Sequence, residues 1–109
     1  MSKANAVFSI MLLSIMIGIF GITIIGVMQH ETAHQQIDLQ NGCEDSKITY
    51  NWQGGETQGI NCTVNENRSI LNGLNEIVWY NNVSIILTIF ICTLILCQVI
   101  IKTSYKEDD

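Results

Sequence analysis

Two uninterrupted apolar runs dominate the hydropathy pattern, and nearly everything polar lies between them. The first, "AVFSIMLLSIMIGIFGITIIGVM", covers residues 6–28 and holds no charge over 23 positions. The second, "VSIILTIFICTLILCQVII", covers residues 83–101 and holds none over 19. A helix rises ~1.5 Å per residue, and about 20 apolar residues cross the hydrocarbon layer, so each run is long enough for one span. Backbone groups in lipid have to be satisfied within the segment. Two segments cannot close a barrel, so both runs are expected to be helices. The first is longer than the ~7–15-residue core of a cleaved signal, and no small-x-small cleavage site follows it. It reads as a retained anchor.

The polar stretch between the runs has its own pattern. Nothing from Gln29 to Leu39 breaks a helix, and Asn41–Gly42 is a stop signal. The first helix is therefore expected to continue about three turns past its apolar run. "KITYNW" alternates, with Ile48, Tyr50 and Trp52 on one side; the glycine-rich "QGGETQG" reads as a turn and "INCTV" as the returning strand. In "NENRSILNGLNEIVWYNN", Ile70, Leu74, Ile77 and Val78 recur at helical spacing, which predicts a helix continuous with the second run. The expected fold class is an α-helical membrane protein. Its two transmembrane helices form an antiparallel hairpin, extend beyond the bilayer, and are joined by a small disulfide-closed β-hairpin. The segments are 1–5, a cytoplasmic N-terminus; 6–28, the first span; 29–82, an exterior loop; 83–101, the second span; and 102–109, a cytoplasmic tail.

Composition narrows the function. The chain of 109 residues is 48% hydrophobic and 14% charged, with no proline and a net charge of −5. No basic cluster exists to meet phosphates, so a nucleic-acid partner is not expected. Lys3, Lys102 and Lys106 flank the spans, whereas the 54 residues of the loop hold only Lys47 and Arg68. The positive-inside rule then puts both termini in the cytoplasm and the loop in an extracellular or lumenal space. In that oxidising space Cys43 and Cys62 are expected to pair, and a loop so short and poor in apolar residues needs such a staple. Asn61 and Asn67 begin N-x-S/T sequons and are candidate glycosylation sites. Cys92 and Cys97 lie inside the second run and read as packing residues. Gly18, Gly21 and Gly26 offer a close helix interface, within the chain or between copies in an oligomer.

Chemistry is concentrated where the first run ends. His30, Glu31 and His34 form H-E-x-x-H, and these are the only two histidines. On a helix, residues four apart share a face, so both rings can serve one ion, with Glu31 beside them as a base. A working zinc site needs one further protein ligand, here a carboxylate or a cysteine. Asp38 sits another turn along the same helix, roughly 6 Å too far. Glu76 suits better. His30 lies 13 residues from the midpoint of the first run, Glu76 lies 16 from that of the second, and His34 lies 17. The three therefore stand within roughly 5 Å of one height on neighbouring antiparallel helices. Asn72, one turn before Glu76, is placed to orient a ligand.

"HETAH" with the downstream "LNEIVWY" resembles the gluzincin, thermolysin-like zinc metallopeptidases, over about 12 of the 109 positions. The resemblance implies Zn²⁺ held by His30, His34 and Glu76, with Glu31 as general base. The aspartate that such enzymes commonly place four residues after the glutamate is Tyr80 here. Ile37 and Gln40 stand where a metzincin would have its glycine and third histidine. The expected function is a minimal membrane-anchored metalloprotease that hydrolyses peptide bonds of a peptide or protein substrate by a zinc-bound water. Tyr80, one turn past Glu76, is the candidate oxyanion donor, or else an interfacial anchor beside Trp79. The "KITYNW" strand is the candidate edge for aligning a peptide. The competing expectation is a non-enzymatic two-span membrane protein, a small viral or accessory subunit, whose exterior loop binds a partner or a metal.

Overall fold

The computed structural model describes residues 2–106; Met1 and residues 107–109, at the two expected cytoplasmic ends, lie outside the described residues. The element order is α1 (Lys3–Gln40), β1 (Asp45–Asn51), β2 (Gly54–Ile60) and α2 (Glu66–Ser104). The chain divides into two compact units. One comprises Met1–Ile22 with Val83–Asp109, and the other is Thr23–Asn82.

The two helices, of 38 and 39 residues, run unbroken through their apolar runs and their polar extensions. Each has a reason to begin where it does. Ser2 Oγ accepts the Asn5 N–H at 3.3 Å, and Asn65 Oδ1 accepts the Arg68 N–H at 3.3 Å, so each start is capped by a side-chain oxygen. Glu66 adds a negative charge to the first turn of α2, where the helix dipole favours it. α1 stops at the Asn41–Gly42 signal. Gly42 takes φ +101°, and Cys43 N–H donates back to Asp38 O at 3.0 Å. Both helices are long and apolar enough to cross a membrane, by length and composition. In the first unit, Ile10, Leu13, Ile17, Phe20, Ile89 and Leu96 are all exposed.

The second unit holds the hairpin and the helix extensions. β1 and β2 are antiparallel, with Ile48 opposite Thr57 and Asn51 opposite Gly54. The connection is therefore only Trp52–Gln53, closed by Gln53 N–H to Asn51 Oδ1 at 2.8 Å. This corrects the expectation that "QGGETQG" is the turn and "INCTV" the return strand. Two of the glycines, Gly55 and Gly59, lie in β2 because the strand passes very close to neighbouring groups there. A Cβ on Gly55 would lie 2.6 Å from Glu31 Cγ, and one on Gly59 would lie 2.5 Å from Cys62 Sγ and 3.1 Å from Asp38 Oδ2. Alternate strand residues share a face. Gly55, Thr57 and Gly59 are that face, and Thr57 donates its hydroxyl to Glu31. Of "INCTV", only Ile60 belongs to β2; the rest falls beyond the strand, where Asn61 takes φ +50°.

The expected Cys43–Cys62 disulfide is present. It closes the base of the hairpin, and Arg68 Nη1 donates to Cys43 Sγ at 2.9 Å. Cross-linking a loop of 20 residues stabilises by about 3 kcal/mol in the chain-entropy account. Replacing both cysteines by serine should lower stability by about that amount. Thermal unfolding in detergent, compared with the parent, reads the loss; an unchanged midpoint would mean that the hairpin is held by α1 alone.

Candidate metal centre

The site lies within the Thr23–Asn82 unit, on three elements. α1 contributes His30, Glu31, His34 and Asp38. α2 contributes Asn72, Asn75, Glu76 and Trp79. Pairs across these helices are antiparallel in register: Gly26 with Trp79, His30 with Glu76, His34 with Asn72. Each step of four along α1 is matched by a step back of three or four along α2, which is the helical repeat on one face.

The ligand-type atoms converge. His34 Nε2 lies 2.7 Å from Glu76 Oε1, His30 Nε2 lies 3.2 Å from the same oxygen, and the two ring nitrogens lie 3.2 Å apart. His30, His34 and Glu76 form a cluster that could hold a metal ion, its ligand atoms all within 4.8 Å of one another. The two imidazoles are largely enclosed, 8% and 14% exposed, while the Glu76 side chain is 45% exposed. The cluster thus opens to solvent on the carboxylate side.

Each histidine is held by different means. The His34 Nδ1 atom lies 2.7 Å from Asn72 Oδ1, and Asn72 Nδ2 donates to Asp38 Oδ1 at 3.2 Å. The His30 ring is stacked on Trp79 at 5.1 Å between centroids, tilted by 24°. Gly26 makes room for that indole, since a Cβ there would fall 2.9 Å from the Trp79 ring. Asn75 Nδ2 donates to the His30 carbonyl at 3.2 Å.

Glu31 is buried, and its Oε2 accepts the Thr57 hydroxyl at 2.5 Å. It lines a cleft of about 440 Å³ together with His34, Glu76, Asn72, Gly73 and residues 55–57 of β2. The Glu31 carboxylate, two of the three cluster residues and a strand segment therefore share one open space. The strand at this cleft is β2, through residues 55–57, and not the "KITYNW" stretch, none of whose residues lines it.

The remaining sequence-derived candidates are placed as follows. Tyr80 is 68% exposed and is not among the cleft-lining residues, so the geometry lends no support to an oxyanion role. Asn61 is exposed and donates to Glu44 Oε2 at 2.9 Å, and Asn67 is exposed in the first turn of α2. Asp38 is not a bystander: it is buried and bonded to Asn72 and Ser46. Thr57, Gly55 and Trp79 went unassigned or misassigned in the sequence. Only the period-two spacing of Gly55, Thr57 and Gly59 hinted at a strand face. No protein-family profile, curated protein or solved structure matches the chain.

Two glycines at the cleft should respond oppositely to substitution. Gly55→Ala drives a methyl into Glu31 and should cost about 1–3 kcal/mol. Gly73 has nothing within 4 Å of an added Cβ and lies inside α2, so Gly73→Ala should gain up to about 1 kcal/mol of helix propensity. Denaturant unfolding of the two variants checks the opposite signs.

Proposed function

We propose that the protein is a membrane-anchored zinc peptidase of gluzincin-like chemistry. The observation that carries this reading is the convergence of His30, His34 and Glu76 from two helices, with Glu31 lining the same cleft. The donor set suits zinc: two imidazole nitrogens and one carboxylate oxygen leave a fourth position open. Ligands ~2.0–2.1 Å from a tetrahedral ion stand roughly 3.3 Å apart. The separations of 2.7, 3.2 and 3.2 Å are close to that triangle. When bound, zinc supplies a Lewis acid that polarises a carbonyl and acidifies water.

The chain's own residues supply the rest. Glu31 is the general base and then the acid, taking a proton from water and returning it to the leaving amine. Thr57 fixes its carboxylate by a hydrogen bond, so little reorientation is needed at the moment of transfer. Among the described residues β2 pairs only with β1, which leaves its outer edge to align an extended peptide along residues 55–57.

The membrane setting belongs to the same proposal. The exposed isoleucines, leucines and phenylalanine around both apolar helix segments suit a bilayer. The lysines at the chain ends favour cytoplasmic termini and an exterior site. A disulfide in the same unit suits that oxidising side, where Asn61 and Asn67 would be open to glycosylation. A second reading, a partner-binding loop without turnover, is favoured by Trp52, which is 91% exposed at the hairpin tip.

Purified protein should contain one zinc per chain and cleave unstructured peptides. Glu31→Gln should retain the zinc and lose hydrolysis by about 10²-fold or more, the range of a missing general base. Glu76→Gln should lose both. Metal analysis with a quenched fluorescent peptide assay separates the outcomes. Full zinc with no turnover in the parent would favour the partner-binding reading, and absence of zinc would end the metal proposal.

A further inference from the structure

We infer that Asp38 and Asn72 are positioning residues that set the tautomer of His34 and so aim its Nε2 lone pair into the cluster. The inference rests on the metal-site reading above but has a test of its own. Its starting point is Asp38, buried at 7% exposure with Oδ2 3.4 Å from the Ser46 hydroxyl and Oδ1 3.2 Å from Asn72 Nδ2. As a carboxylate it only accepts hydrogen bonds. An asparagine amide has one donating end and one accepting end, so the donating end has to face Asp38. That leaves Asn72 Oδ1, which cannot donate, 2.7 Å from His34 Nδ1. The proton of the neutral ring therefore sits on Nδ1, and Nε2 carries the lone pair.

Nε2 is the atom that faces Glu76 Oε1 at 2.7 Å and His30 Nε2 at 3.2 Å. A lone pair and a carboxylate oxygen at that separation repel unless a cation or a proton lies between them. In the neutral ring the relay thus keeps the proton off the ligating atom and leaves the gap for a cation. Gly59 is part of the device, since a side chain there would strike Asp38 Oδ2 and the disulfide sulfurs. Among the described residues His30 has no comparable chain. Stacking on Trp79 fixes its ring plane but selects neither nitrogen.

Two measurements test the relay. Long-range ¹⁵N–¹H NMR of zinc-free protein in micelles, at mildly alkaline pH, should report His34 as the Nδ1–H tautomer. Asn72→Leu should abolish that preference and weaken zinc binding by about 10–100-fold, the usual cost of losing such a partner. Asp38→Asn, which can still accept from Asn72, should weaken it less. Asn75→Leu, which removes the hydrogen bond to the His30 carbonyl, should leave the His34 tautomer unchanged. An Nε2–H tautomer in the parent, or a tautomer unmoved by Asn72→Leu, overturns the inference whatever zinc does. An Nδ1–H tautomer in a parent that binds no zinc upholds the relay and ends the metal reading instead.

Discussion

The Thr23–Asn82 unit depends on a buried polar seam in the place where small domains usually have an apolar core. Among the described residues of this unit, the most enclosed side chains are Glu31, Asp38 and Ser46, and the one buried hydrophobic residue is Cys43, itself in the disulfide. Buried carboxylates are costly unless their oxygens are met by donors. Glu31 is met by Thr57, and Asp38 by Asn72 and Ser46. Satisfying α1's carboxylates is what draws β2 and α2 against it. The hairpin and the α2 extension are the donors' scaffold before they are anything else.

This constraint places fold and site on the same atoms. Asn72 satisfies Asp38 with one end of its amide and holds His34 with the other. Thr57 satisfies Glu31 and, by doing so, sets β2 at the edge of the cleft. A polar network of this kind is worth more than its separate bonds, and losing one member leaves others unpaired in a low-dielectric setting. An ion between His30, His34 and Glu76 would complete the network by joining α1 to α2 directly. Metal binding and folding of this unit would then be linked, because a preformed ligand triangle does not survive in an unfolded chain.

Much of this was legible in the sequence, for particular reasons. Helix continuity followed from the absence of breakers after Met28 and from the periodicity between Ile70 and Val78. The place of Glu76 followed from counting residues along two antiparallel helices, because a rise of ~1.5 Å per residue is a reliable ruler. The Cys43–Cys62 bond followed from there being no other cysteines in the loop. What could not be read was tertiary. Asp38 lies one turn past His34, too far along to join the cluster, and no spacing rule shows that Asn72 bridges that turn. Trp79 read as an interfacial aromatic because its alternative, stacking on His30, depends on an opening at Gly26 on another helix.

The glycines show the same limit most sharply, because one residue type serves opposite ends here. Gly26, Gly55 and Gly59 are places where another group comes within 3 Å of a would-be Cβ, and each admits a partner of the seam or the site. Gly18, Gly21 and Gly73 face open space. In the sequence, Gly54 and Gly55 looked like a turn, since glycine's freedom at positive φ is its commonest use. Of these two, only Gly54, at φ +145°, uses that freedom. Gly55 is ordinary strand with its side chain removed, which lets β2 lie flat on Glu31. A strand of residues with full side chains would stand farther from α1, and Thr57 would no longer reach the carboxylate. The low β-propensity of "GGETQGI" is therefore a requirement of the site, and the disulfide at its far end compensates for it.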